Sequence, residues 1–80
     1  MLKSVQNLIN AANSGAKQRQ CGNHSFQRDK DGTLKFFYHW TAICVVDKNG
    51  NPTYDNGGWN TTSTKRAINS YKQYYGESVN

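Results

Sequence analysis

Cys21 and His24 stand three positions apart and His39 and Cys44 five apart, which together give the residue types and rough spacing of a four-ligand zinc site. The second pair argues against it. Positions 39 and 44 differ by an odd number, so along a strand their side chains point to opposite faces unless a bulge intervenes. No metal and no other cofactor is therefore expected. A Cys–His nucleophile pair needs a thiolate beside a positioned base, together with an oxyanion hole. Cys44 lies in the most apolar run, where a thiol is inert; Cys21, beside Gly22 and close to His24, is the better reactive thiol. No third group marks itself as an orienting partner. Asp29, Asp31, Asp47 and Asp55 fall in turns and Glu77 in the tail, so no carboxylate pair points to acid–base work. The chain is expected to bind, not to make or break bonds.

Binding chemistry concentrates between Asp55 and Asn69, where a Gly57-Gly58 turn and Trp59 run through a cluster of hydroxyls into a basic helix. Free amides and the positive end of a helix dipole make such a junction suited to an anion. The Gly-Lys-Ser/Thr spacing of a nucleotide-binding loop is absent. The expected contact residues are Thr62, Ser63 and Thr64 at the entry, with Lys65, Arg66, Asn69 and Lys72 along the outer helix surface. Lys17 to Lys30 is the fallback segment. A second candidate is Lys35-Phe36-Phe37-Tyr38-His39-Trp40, whose interleaved bases and rings suit stacking on unpaired nucleobases. It lacks the glycine-aromatic signature of an RNA-recognition motif, and at least half of its rings are needed for the core. Exposure of Tyr38 or Trp40 is not legible at this level.

Eighty residues make one domain, spanning 1–80, with a small core. Three Phe, five Tyr and two Trp supply much of its apolar area. Ten Lys and Arg against five Asp and Glu leave a formal charge of +5, which favours a polyanionic partner but also serves simple solubility. Two cysteines do not make a disulfide framework, no run reaches membrane-spanning length, and the first segment is amphipathic. A reducing cytoplasm, with both cysteines as thiols, is the expected setting.

The elements follow from periodicity. Leu2, Val5, Ile9 and Ala12 recur at helical steps, with Ser4 as the expected N-cap and Asn13-Ser14-Gly15 as the stop. Ala16 to Gly22 is polar and reads as a loop. Two Asp/Asn-Gly turns, Asp29-Lys30-Asp31-Gly32 and Asp47-Lys48-Asn49-Gly50, divide His24 to Asp55 into strands. The run Leu34 to Val46 reads as one long central strand, bent or bulged near Trp40-Thr41, and Pro52 puts the next strand at an edge. A closing helix is expected over Thr64 to Tyr75, capped by Thr62 or Ser63, with Ala67, Ile68, Tyr71, Tyr74 and Tyr75 on its apolar face and a frayed tail after Gly76. The expected fold is α+β: an N-terminal helix, a three-stranded antiparallel meander and a C-terminal helix, with both helices on one sheet face. Val5, Ile9, Phe36, Ile43, Val45, Trp59, Ile68 and Tyr71 are its expected core, with Trp59 as the wedge between turn and helix.

The hydrophobic-Asp run Ala42 to Asp47 with its Gly50 turn, followed by Gly-Gly-Trp-Asn-Thr-x-x-Thr-Lys-Arg-x-Ile-Asn, resembles a family of small tailed-bacteriophage proteins over Phe37 to Tyr75. The resemblance implies a compact α+β domain in a viral, host-cytoplasmic setting and carries no known activity. It implies a stoichiometric binding protein that inhibits or modulates host machinery, such as a nuclease-based defence complex, through a host protein or protein–nucleic-acid interface. The alternative is direct nucleic-acid binding through a basic helix and exposed aromatics. Oligomeric state is not legible.

Overall fold

The computed structural model describes residues 1–77. Helix α1 (Lys3–Asn13) is followed by strands β1 (Gln18–Cys21), β2 (His24–Arg28), β3 (Leu34–Tyr38), β4 (Thr41–Val46) and β5 (Pro52–Tyr54), and helix α2 (Thr62–Tyr75) closes the chain. The strands form one antiparallel sheet in the order β1-β2-β3-β4-β5. The α+β class, the meander and the edge position of Pro52 agree with the sequence reading, but the sheet has five strands, not three. The frayed tail expected after Gly76 lies, from residue 78 on, outside the described residues.

Both missed strands have local causes. The supposed loop holds β1, whose residues are polar and nearly all exposed, so it shows no apolar alternation. It pairs with β2 through a turn at Gly22-Asn23, with Gly22 at φ 63. The run Leu34 to Val46 is split in two by a turn at His39-Trp40, and a bulge follows in β4 because the register shifts between Phe36 and Phe37. Phe36 faces Cys44 while Phe37 faces Ala42, which leaves Ile43 as the extra residue. Ile43 and Cys44 are consequently both buried, and Val45, expected in the core, pairs with Lys35 and Thr53 on the opposite face.

One face of the sheet carries both helices. Val5, Leu8 and Ile9 of α1 meet Phe26, Phe36 and Cys44 of the sheet and Ala67 and Tyr71 of α2, with Ile68 packed against the cluster. Phe36 is its centre, with ring centroids 5.7 Å from Phe26 and 4.6 Å from Tyr71. Trp59 is not part of it. Tyr74, expected on the apolar face of α2, is half exposed, and its hydroxyl accepts a hydrogen bond from Asn13 Nδ2.

The helix caps also differ from expectation. α1 begins after Leu2, not Ser4, because the Leu2 amide donates to Ser70 Oγ at 3.0 Å: a tertiary contact, not a local side chain, fixes its start. α2 begins two residues early because Thr61 is its N-cap, accepting from the Thr64 amide through Oγ1 at 3.2 Å.

Candidate functional site

Antiparallel pairing sorts the turns to two ends of the sheet. The Asp29-Gly32 and Asp47-Gly50 turns lie at one end; the Gly22-Asn23 turn, the His39-Trp40 turn and the 55–61 connection lie at the other. Both helices start at this second end. Asn7 of α1 reaches Cys21 there, whereas Arg28, at the first end, donates to the Ala12 and Ala16 carbonyls at the end of α1 and just after it. α2 starts beside the His39-Trp40 turn, since Thr61, Ser63 and Thr64 line a groove with Tyr38 and Thr41.

That groove encloses about 560 Å³ and is walled by Tyr38, His39, Trp40 and Trp59, with Ile43 at its base and the hydroxyls of Thr61 and Ser63 on one side. Trp40 is 96% exposed and Trp59 60% exposed, in a chain whose only two tryptophans these are. The expectation that Trp59 wedges the core is therefore overturned, and the open question of Trp40 is answered. Folding gains almost nothing from rings in such positions.

The turns that present them are firmly built. His39 adopts φ 56, a left-handed conformation uncommon outside glycine, and its amide donates to Asn23 O at 2.7 Å. Asp55 Oδ1 accepts from the Gly57 amide and Asn56 Oδ1 from the Gly58 amide, both at 2.8 Å. Gly57, at φ 60, packs directly on the Thr41 side chain, which braces the Trp59 turn against the Trp40 turn.

The two ends differ in their acids and not in their bases, since Lys30 and Lys48 share the far-end turns with the aspartates. Asp29, Asp31 and Asp47 occupy the turns of the far end, and Glu77 follows the C-terminus of α2, paired with Lys72 at 3.3 Å. Backbone hydrogen bonds from Thr33 and Asn51 hold the Asp31 and Asp47 carboxyls below their ordinary pKa. The tryptophan end has one acid, Asp55, already engaged with Gly57, and carries Lys3, Lys65 and Arg66 with no ion pair among the described residues. Neither helix has an acid in its first turn, so both dipoles present an uncompensated positive end there.

The expected contact residues are placed as follows. Thr62, Ser63, Lys65, Arg66 and Asn69 are exposed on α2, and Ser63 alone of these lines the groove. Thr64 is 3% exposed and spends its amide on the Thr61 cap, which removes it from an anion site and leaves the Thr62 and Ser63 amides. Lys72 is half-buried, paired with Glu77 and 5.4 Å from the Tyr54 ring centroid, away from the groove. Of the second candidate segment, Tyr38, His39 and Trp40 line the groove while Phe36 is buried in the core; Trp59 was expected in the core and not as a contact. The available signal was the length of the Leu34–Val46 run, too long for one strand, which required a turn and hence an exposed tip near Trp40.

The cysteine–histidine pattern is dispersed. Cys44 is sealed in the core, and burial pushes its thiol up to about 12. Among the described residues no three His, Cys, Asp or Glu side chains come together as a ligand set. His24 pairs across the hairpin with Cys21 and stacks 4.9 Å from Tyr38. Burial, and secondarily the neighbouring His39, holds its imidazole below the usual pKa. Among the described residues no helix is long and apolar enough to cross a membrane. Comparison of the chain with protein-family models, curated proteins and solved structures finds no match to any of them.

Proposed function

We propose that this chain is a non-enzymatic binding protein that modulates host machinery by contacting nucleic acid directly, with the tryptophan end as its contact surface. The observation that carries the reading is the coincidence of two exposed indoles with Lys65, Arg66 and the uncompensated first turn of α2, at an end that carries a single acid. Aromatic platforms beside positive charge are how sequence-tolerant nucleic-acid binders gain affinity, and a pI near 9.4 is of the kind such domains have. A second reading, a stoichiometric interface with a host protein, draws on a different observation: the nine residues lining the groove include no Lys, Arg, Asp or Glu, and exposed tryptophans are typical anchors of protein interfaces.

A pull-down from bacterial lysate, with and without nuclease, tests the choice. Nucleic acid bound to the protein and lost on nuclease treatment, together with any proteins it bridges, supports the first reading. Capture of a single protein in a nuclease-resistant, salt-tolerant complex overturns it in favour of the second.

A further inference from the structure

The arrangement inside the groove narrows the nucleic acid to one form. A duplex keeps its base faces stacked on one another, whereas an unpaired strand leaves them free for aromatic side chains. The groove is aromatic and uncharged at its walls, with the Ser63 hydroxyl able to donate and accept, while that of Thr61 is engaged with Thr64 in the helix cap. Cations lie just outside it: Lys65 follows directly on Thr64, and Arg66 stands one helical turn beyond Ser63 on a neighbouring face of α2. Lys3 opens α1 at the same end. Rings within and charges around match a strand that turns its bases inward and its phosphates outward. The only acid at this end, Asp55, has a carboxylate oxygen committed to the Gly57 amide.

Resting on the nucleic-acid reading above, we propose that single-stranded nucleic acid docks in this groove, with unpaired bases stacked on Trp40 and Trp59 and phosphates against Lys65, Arg66 and the first amides of α2. Charge complementarity selects this occupant over an uncharged peptide, and the free ring faces select it over a duplex. Trp40, being almost wholly exposed, offers its ring face to a base without any rearrangement of the core.

Because Trp40 and Trp59 are the only tryptophans, their emission reports on the groove directly. The full chain is titrated with oligothymidylate and oligouridylate of about 12 nucleotides and with a duplex of the same length, since single-strand sites span about 4–16 nucleotides. Emission is followed alongside the anisotropy of labelled strands. The expected result is quenching by at least one single strand, weak binding of the duplex, and affinity lowered about 5- to 150-fold by Trp40→Ala or Trp59→Ala. Trp40→Leu, apolar but not a stacking surface, is expected to lose affinity like the alanine variant, and Trp40→Phe to retain most of it. Lys65→Glu with Arg66→Glu is expected to flatten the dependence of log affinity on log salt by about one to two units. Circular dichroism establishes that each variant is folded. Equal binding of duplex and single strand without a change in emission, or parent-like binding by Trp40→Leu, overturns stacking while leaving nucleic-acid binding in place. Failure of every oligonucleotide to bind overturns both.

Discussion

The Thr41 methyl group occupies the space that a β-carbon at Gly57 would need, so the turn carrying Trp59 closes directly on the strand that follows Trp40. Gly57→Ala must therefore resolve a steric clash as well as a left-handed φ of 60. The expected loss is about 2–5 kcal/mol, from about 1–2 for the left-handed backbone and about 1–3 for overpacking. Gly58→Ala is the internal control. Its φ of 86 is equally unfavourable, but nothing lies within 4 Å of the added carbon, so about 1–2 kcal/mol is expected. Urea denaturation of the two variants measures the difference; equal losses would mean that Thr41 yields easily and that the two turns are not braced.

Exposure reverses the ranking of aromatic residues that composition suggests. Trp59→Ala and Trp40→Ala are each expected to change stability by about 0.5 kcal/mol or less, as surface substitutions do. Phe36→Ala, which removes the ring at the centre of the core, is expected to cost about 3–5 kcal/mol. Thermal melts of the three variants check the order. A Trp59→Ala protein as unstable as Phe36→Ala would restore the tryptophan to the core.

What the sequence showed and hid divides along the range of the interactions. Both Asp-Gly turns, the edge position forced by Pro52 and the end of α1 at Asn13 were legible because each is set by residues adjacent in the chain. The start of α1 was not, because it depends on Ser70, 68 positions from Leu2. β1 was hidden by its polarity, although Gly22-Asn23 is a recognised hairpin pair. The His39-Trp40 turn was hidden because it uses neither Gly, Asn nor Asp, His39 taking the left-handed conformation itself. The exposure of Lys65 and Arg66 on α2 was legible through their charge. The exposure of Trp40 and Trp59 was not, since burial of a ring cannot be told from composition.

Stability should also depend on pH through His24. Its Nδ1 is buried without a hydrogen-bond partner among the described residues, and burial, followed by the charge of His39, lowers its pKa below 6.5. As pH falls through the ordinary imidazole range the unfolded chain takes up the proton before the folded one. The contribution is thus fully present above about pH 6.5 and is lost as pH falls toward the lower folded value. Melting temperature is expected to drop between neutral and mildly acidic pH, and His24→Phe to flatten that slope. Asp31 and Asp47, with folded pKa values below 3.8, act only at more acidic pH and leave this window clear. An unchanged slope in His24→Phe would assign the dependence to another group.

Arg28 is basic by sequence but structural by position. Its guanidinium donates through Nη2 to the Ala12 carbonyl and through Nε to the Ala16 carbonyl, fastening the end of α1 and the turn after it to β2. A cation there also meets the negative end of the α1 dipole. Removing hydrogen bonds from a charged donor costs about 1.5–3 kcal/mol, so Arg28→Ala is expected to destabilise by that amount. Arg28→Lys keeps the charge but loses the forked geometry, and should recover only part of the loss. Hydrogen exchange should locate the effect in α1 and leave the α2 amides near parent protection. Oligonucleotide affinity gives the sharper contrast: folded Arg28→Ala is expected to bind like the parent, whereas reversal of Lys65 and Arg66 weakens binding. A large loss of affinity in Arg28→Ala would move the contact surface to the Lys17 to Lys30 segment and away from the tryptophan end.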